Sequence, residues 1–207
     1  MELRISMKTK QGYQKEDKKI LLVVDVQYGF ERKESTKKNA EKIANLLRKD
    51  IFDAVIATQF FNRKNSVYDC WLHWPRLMEP ADIMLDTEVQ KKSRFVIRKD
   101  IYHCPEEELM TDLRACNGGN VPGSVFICGM DTDCCVQLIA AKLFESAIHP
   151  IVLTSYCASN GGEQAHQAGL TVMSRVLGRM HLIEAEPDCV QQLDEIREAL
   201  RKIESEK

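Results

Sequence analysis

The chain has 207 residues, a formal net charge of −2 at pH 7 and a composition that is ordinary for a globular protein. This length suits one domain with a sizeable core, and the small net charge argues against a nucleic-acid partner. No apolar run is long enough to span a membrane, and the first residues lack the apolar core of a signal peptide. We therefore expect a cytoplasmic protein with a flexible extension at residues 1–18 and a single domain at residues 19–207.

Eight cysteines need a separate explanation. Without a secretion signal a disulfide framework is not expected, and no Cys-x-x-Cys pair or zinc-like Cys/His spacing occurs. We expect reduced thiols, most of them buried as small apolar side chains. The cysteines are Cys70, Cys104, Cys116, Cys128, Cys134, Cys135, Cys157 and Cys189.

The first part of the domain alternates between strand and helix patterns. Residues 20–24 form a continuous apolar run that ends at Asp25, which predicts a buried strand. Residues 36–49 carry apolar side chains at helical spacing, and residues 54–57 predict a second strand. Residues 62–92 are irregular and rich in Trp and Pro, which predicts a long functional loop with short helices.

The remaining residues continue the alternation. The predicted elements are, in chain order, a strand at 95–97, a helix that starts near Pro105, a strand at 124–128, a helix at 133–147, a strand at 150–153, a helix at 161–177, a strand at 181–183 and an amphipathic helix at 187–205. Strands that alternate with helices favour an α/β domain with a mostly parallel sheet covered on both faces. In such sheets the active site lies beyond the carboxyl ends of the strands.

Residues 125–136 are the most informative stretch of the chain. They read Val-Phe-Ile-Cys-Gly-Met-Asp-Thr-Asp-Cys-Cys-Val, an apolar strand that breaks at Gly129 and is followed by a helix that starts near Thr132. A cysteine therefore lies just inside a helix N-terminus. Free backbone N–H groups and the helix dipole favour a thiolate at this place, and the same N–H groups can hold an oxyanion.

Three reactive side chains follow predicted strands: Asp25, Lys99 and Cys135. Together they suit nucleophilic catalysis, with Cys135 as nucleophile, Asp25 as proton shuttle and Lys99 as the cation that stabilises the thiolate. Taken singly, each has a plain alternative: a turn residue, a solvated surface charge and a core cysteine. Their common position at strand ends favours the catalytic interpretation, in which Cys135 is the most reactive thiol.

These segments resemble the isochorismatase-like cysteine hydrolases, a family that includes nicotinamidases and other small-amide hydrolases. The resemblance covers residues 18–185 and is carried by the segments 21–30, 96–99 and 129–136, of which the last is the most specific. It implies a three-layer, doubly wound, Rossmann-like fold with a six-stranded parallel sheet.

The resemblance also implies a catalytic site. Cys135, Asp25 and Lys99 would form the triad, the backbone N–H groups of Asp131 and Cys135 would hold the oxyanion, and the Met130–Asp131 peptide bond would be cis. In the strand order 3-2-1-4-5-6, Lys99 lies two strands, or about 10 Å, from the first strand. Its long side chain would have to reach back to the switch point.

One departure concerns metal binding. Nicotinamidases carry an Asp-x-His metal cluster after the second strand, whereas this chain has Thr-Gln-Phe-Phe-Asn at residues 58–62. We therefore expect no catalytic metal and no cofactor, and we doubt nicotinamide as the substrate. Phe30, Asn62, Trp71 and Trp74 are candidate pocket residues, with simple loop packing as the alternative for the tryptophans. Cys134 is either inert or a thiol that resolves an oxidised Cys135.

The sequence thus predicts a metal-independent cysteine hydrolase that cleaves a small amide or related C–N bond through a thioester. Two alternatives stay open: a vinyl ether hydrolase of the isochorismatase type that uses Asp25 without a covalent step, and a non-catalytic binding or assembly protein. We expect a small-molecule substrate, no nucleic-acid or membrane partner, and a homo-oligomer.

Overall fold

The computed structural model describes residues 17–185 and 190–205. Most of the expected N-terminal extension, residues 1–16, lies outside the described residues, as do Cys189 and the first three residues of the last predicted helix. None of the described helices is long and apolar enough to cross a membrane.

The described residues contain six strands and eight α-helices. The strands are β1 (Ile20–Val24), β2 (Ala54–Phe60), β3 (Phe95–Lys99), β4 (Ser124–Met130), β5 (His149–Ala158) and β6 (Leu182–Ile183). The helices are α1 (Glu34–Leu47), α2 (Val67–Cys70), α3 (Pro80–Ile83), α4 (Thr87–Lys92), α5 (Glu106–Cys116), α6 (Gln137–Glu145), α7 (Glu163–Val176) and α8 (Val190–Ser205). A π-helical turn at Thr132–Val136 precedes α6, and a 3₁₀ turn at Arg179–His181 precedes β6.

The six strands form one parallel sheet in the order β3-β2-β1-β4-β5-β6. The chain adds β2 and β3 on one side of β1 and then returns to place β4 on its other side. The order therefore reverses between β1 and β4, and this switch point is where ligands bind in open α/β sheets. The doubly wound, six-stranded parallel fold is confirmed.

Alternate side chains of the central strands enter two separate cores. Leu21 and Val23 of β1 pack in the core that includes α1, α4 and α8. Ile20, Leu22 and Val24 pack in the core that includes α5, α6 and α7. Because both faces of the sheet are covered, the strands read as continuous apolar runs rather than as alternating ones.

Glycine at position 129 allows β1 and β4 to approach closely at the switch point. Gly129 pairs with Val24 and has a φ of 128°, in the region that favours glycine. A Cβ atom there would lie 2.1 Å from the carbonyl oxygen of Val24, which is closer than any real contact. The end of β4 and the turn after it are thus held directly beside the end of β1.

Candidate active site

The side chains of Asp25, Lys99 and Cys135 meet at the carboxyl ends of β1, β3 and β4. The Lys99 Nζ lies 2.7 Å from the Asp25 Oδ2 and 3.3 Å from the Cys135 Sγ. The Lys99 and Asp25 side chains are fully buried, and Cys135 is 4% exposed. The long side chain of Lys99 therefore does reach back across β2, as the strand order required.

Thr58 of β2 holds Asp25 in place. Asp25 follows β1 with a φ of 51°. This left-handed conformation is uncommon for residues other than glycine, although Asn and Asp adopt it more often than most. Its backbone N–H donates to the Thr58 Oγ1 at 3.1 Å, and the same hydroxyl donates to the Asp25 Oδ1 at 2.6 Å. Oδ1 is thereby fixed, and Oδ2 is left to face Lys99.

The Lys99 ammonium group is held by four neighbours. Besides Asp25 and Cys135, it donates to the carbonyl oxygens of Ile101 at 3.0 Å and Tyr102 at 3.1 Å. It also lies 5.1 Å from the centre of the Phe60 ring. Burial opposes the charge, but the negative charge of Asp25 and its hydrogen bond to Lys99 act against this effect, and the pKa of Lys99 is raised. The lysine is therefore a fixed cation rather than a base.

The thiol of Cys135 differs from the sequence expectation of a stabilised thiolate. Burial raises the pKa of Cys135 well above its ordinary value, and the Asp25 carboxylate raises it further through its charge and a hydrogen bond, while Lys99 lowers it. The sequence pattern gave weight to the helix start and to Lys99, but it did not include burial. Burial and Asp25 thus favour the protonated thiol, and Lys99 is the group that opposes them.

Cys135 lies in the π-helical turn rather than in a regular α-helix. The Val136 N–H donates to the Asp131 carbonyl oxygen at 3.2 Å, a spacing of five residues. The peptide bond between Met130 and Asp131 is cis, as the family resemblance implied. The Asp131 carboxylate accepts from the backbone N–H and the side-chain amide of Asn160, both at 2.9 Å.

The Cys135 thiol opens onto a cavity of about 530 Å³, a size typical of small-molecule sites. Its wall combines five aromatic side chains with three cations, Asp131, Asn160, a leucine, a glycine and the two adjacent cysteines. The aromatic wall residues are Phe30, Phe60, Tyr68, Trp74 and Tyr102. Phe30 and Trp74 lie parallel, with ring centres 6.0 Å apart. Both were pocket candidates, and both line the cavity.

Two of the candidate pocket residues lie elsewhere. Trp71, at the C-terminal cap of α2, is 79% exposed to solvent and is not part of the cavity wall. Asn62 is buried behind the wall, where its side chain donates to the Trp74 carbonyl oxygen at 2.9 Å and accepts from the Ser66 hydroxyl at 2.6 Å. Asn62 therefore shapes the loop that carries Trp74 instead of contacting the cavity.

Several wall residues were not identified from the sequence: Arg32, Lys33, Tyr68, Leu72, Arg76, Tyr102 and Asn160. Arg32 and Lys33 lie two and three residues after Phe30, so their proximity to a pocket aromatic was an available signal. Tyr68 lies in α2 and Tyr102 in the loop after β3, and their rings meet edge to face with centres 5.0 Å apart. Nothing in the residue pattern predicts that contact.

The stretch that holds a metal in nicotinamidases offers no ligand set here. Phe60 lines the cavity, and the ring of Phe61 lies 5.0 Å from the guanidinium groups of both Arg63 and Arg98. The side chain of Asn62 is occupied by the loop. Within residues 17–185 and 190–205, no three His, Cys, Asp or Glu side chains are grouped to hold a metal ion. The residues at this place do not fit a metal centre.

Cys134 is half-buried in the cavity wall. Burial, followed by the charges of Asp133 and Asp131, raises the pKa of the Cys134 thiol to about 12. Its surroundings are therefore acidic, whereas the Cys135 Sγ contacts the Lys99 ammonium group. The two adjacent cysteines differ in the chemistry that they can support.

Comparison with known proteins gives the family. A sequence profile of the Isochorismatase domain matches residues 19–185. The chain belongs to the isochorismatase family. It is therefore a hydrolase, and the alternative of a non-catalytic binding or assembly protein is not supported. No curated protein gives a significant match to the sequence.

Solved structures of the family share the fold. An isochorismatase-like hydrolase from Alkaliphilus metalliredigens has a TM-score of 0.66 and 16% identity, over 86% of this chain and 98% of that one. A pyrazinamidase/nicotinamidase from Streptococcus mutans has a TM-score of 0.65 and 21% identity, over 80% and 99%. A cysteine hydrolase from Pseudomonas syringae pv. phaseolicola has a TM-score of 0.67 and 17% identity, over 87% and 92%. At these identities the likeness shows the common fold alone.

Proposed function

We propose that this isochorismatase-family hydrolase uses Cys135 as a nucleophile and cleaves the C–N bond of a small amide without a metal. The observation that carries the proposal is the buried Lys99 ammonium group, which contacts both Asp25 and Cys135 where the thiol meets the cavity. Burying a lysine, an aspartate and a cysteine together costs folding free energy, and such clusters of buried ionisable groups are typical of active sites. Phe60 and Asn62 support the metal-free reaction, because they stand where metal ligands would be required.

In the acylation half-reaction, the Cys135 thiol gives its proton to Asp25, and the Lys99 ammonium group stabilises the resulting thiolate. The sulfur attacks the amide carbon, and the backbone N–H groups of Asp131 and Cys135 stabilise the oxyanion that forms. When the C–N bond breaks, Asp25 passes its proton to the leaving nitrogen. The products of this stage are an amine and a thioester on Cys135.

In the deacylation half-reaction, Asp25 takes a proton from a water molecule, whose oxygen attacks the thioester carbon. The same N–H groups hold the second oxyanion. The C–S bond then breaks, and the thiolate recovers its proton from Asp25. The sum of the two stages is the addition of one water molecule to an amide, which gives a carboxylic acid and an amine.

A panel of small primary amides, assayed for ammonia release, tests this function with two neighbouring variants. Cys135→Ala should abolish activity, by at least about 10³-fold, because the nucleophile is lost. Cys134→Ala should retain most activity, because the contact with Lys99 is made by the Cys135 thiol and the Cys134 thiol has no role in the proposed mechanism. Activity that survives in Cys135→Ala would contradict the covalent mechanism.

The Cys135→Ala variant also distinguishes the thioester mechanism from that of a vinyl ether hydrolase. In a vinyl ether hydrolase, Asp25 would protonate the substrate and Cys135 would have no covalent role. Cys135→Ala would then keep most of its activity on a vinyl ether, whereas Asp25→Asn would lose it. Loss of activity in both variants supports the thioester route.

A further inference from the structure

Three cations line the cavity that Cys135 opens onto: Arg32, Lys33 and Arg76. All three side chains are exposed. None of them forms an ion pair with another of the described residues, although eight other lysines and arginines of this part of the chain do. Their charges are consequently available to a ligand.

The fold brings these cations together from two segments. The Thr36 hydroxyl accepts from the backbone N–H groups of Arg32 and Lys33, both at 3.1 Å, and fixes the loop before α1. The preceding residues Tyr28 and Gly29 donate to backbone carbonyls at 3.1 Å and 3.0 Å in the segment 82–84, which follows Arg76. The stacked rings of Phe30 and Trp74 join the two segments at the cavity wall.

The two ends of the cavity therefore carry opposite charges. At its buried end lies Cys135, and the wall carboxylate Asp131 lies close to it in the same turn. The charges of Lys99 and Asp25 behind Cys135 compensate each other, so Asp131 gives this end its negative charge. Burial, opposed by the two hydrogen bonds from Asn160, raises the pKa of Asp131 to about 6. At its open end lie the three exposed cations. Between the two ends the wall is aromatic, which suits a flat, apolar part of a ligand.

We infer that the substrate is a flat, unsaturated or aromatic amide with a carboxylate at the end remote from the scissile bond. Arg32, Lys33 and Arg76 are then the residues that select the anionic end, through charge-assisted hydrogen bonds. This inference rests on the proposed function for the position of the scissile bond. The binding of the anion does not require the thiol.

Binding to the Cys135→Ala protein tests the inference without turnover. The probes are 4-carbamoylbenzoate and the neutral terephthalamide, which have nearly the same shape and differ by one charge. Isothermal titration at low salt should give an affinity about tenfold higher for the anion, the effect of one net charge-assisted hydrogen bond. Added salt should reduce this preference, because the cations are exposed.

Single substitutions to glutamine show which cations cause the preference for the anionic probe. Arg32→Gln, Lys33→Gln and Arg76→Gln should each weaken the binding of 4-carbamoylbenzoate by about twofold and leave terephthalamide unchanged. Lys64→Gln is the matched control, because it removes an exposed cation that is not part of the cavity wall. It should change neither affinity.

Equal affinities for the two probes would overturn the inference. So would the absence of measurable binding of the anion at its highest soluble concentration, or a preference that survives all three substitutions. These outcomes are separate from the failure of the proposed function, which would appear as retained activity in Cys135→Ala while the preference for the anion persisted.

Discussion

Asp25 contributes to the site through its orientation, and Thr58 sets that orientation. A carboxylate beside both a lysine and a thiol can turn away from either one. The Thr58 hydroxyl prevents this, because it contacts both the backbone N–H and the Oδ1 of Asp25. Thr58 belongs to the segment 58–62, whose residue types indicate the loss of metal ligands but do not predict a contact with Asp25.

We predict that Thr58→Val lowers kcat/KM by roughly 10- to 100-fold through kcat, with little change in KM, because the proton shuttle loses its fixed geometry. Thr58→Ser keeps the hydroxyl and should retain most activity. Steady-state kinetics of the two variants make the comparison, and equal losses of kcat in both would show that the hydroxyl is not the cause.

At the scale of the elements, the strands were predictable, whereas the turn that carries the nucleophile was only partly so. The apolar runs of β1, β2 and β4 identify buried parallel strands, because only such strands are apolar on both faces. The turn at Thr132–Val136 is π-helical, and π and α turns have the same apolar spacing over five residues. Its hydrogen-bond pattern therefore could not be read from residue types.

The extent of β5 was also only partly predictable from the sequence. The sequence predicted a strand at 150–153, but β5 spans His149–Ala158. Ile127 of β4 pairs with Val152, and Gly129 pairs with Cys157, so β5 contains extra residues that have no partner in β4. A bulge of this kind interrupts the apolar run, and the run was the only signal for the strand.

The loops of the site illustrate why the pocket was the least predictable part. Phe30 was identified through the family resemblance and Trp74 through its place in the long loop at residues 62–92. Asn62 was chosen by its sequence position, yet its amide is needed to hold the loop at Trp74. Which face of a loop residue meets the cavity depends on long-range backbone contacts, and these have no local sequence pattern.

At the scale of the whole molecule, Glu31, between β1 and α1, is one source of the pH dependence of stability. The Glu31 Oε1 is buried without a hydrogen-bond partner. Burial, followed by the charge of Asp86, raises the pKa of Glu31 from 4.5 to about 7. Between these two values the native state binds more protons than the unfolded state, so stability falls as the pH rises through this window.

We predict that Glu31→Gln removes this loss. Above about pH 7.5 the variant should be more stable than the unchanged protein by about 1 kcal/mol, a value discounted for the half-exposed side chain. Near pH 4.5 the difference should be much smaller, because the carboxyl group is then protonated in the native state. Melting temperatures across this range provide the measurement. Glu34→Gln, which neutralises an exposed neighbour paired with Lys38, should show no such trend.

The family and the fold follow from the sequence profile and the sheet order, whereas self-association and a cytoplasmic location stay predictions. Sedimentation velocity of the full chain measures the first of these. If a second subunit contributes to the cavity, the affinity for 4-carbamoylbenzoate should depend on protein concentration.

The central claim is that Cys135 forms a thioester and that Asp25 is needed to hydrolyse it. Asp25→Asn removes one of the charges that raise the pKa of Cys135, so Lys99 should favour a thiolate in this variant. That thiolate can attack 4-nitrophenyl benzoate, whose leaving group needs no proton, but no base remains to activate water. Intact-mass analysis and peptide mapping should therefore find one stable benzoyl group on Cys135 in Asp25→Asn, and only a transient one in the unchanged protein. A benzoyl group on Cys134 or Cys70 instead, or equal labelling when Cys135→Ala is added to Asp25→Asn, would contradict the account.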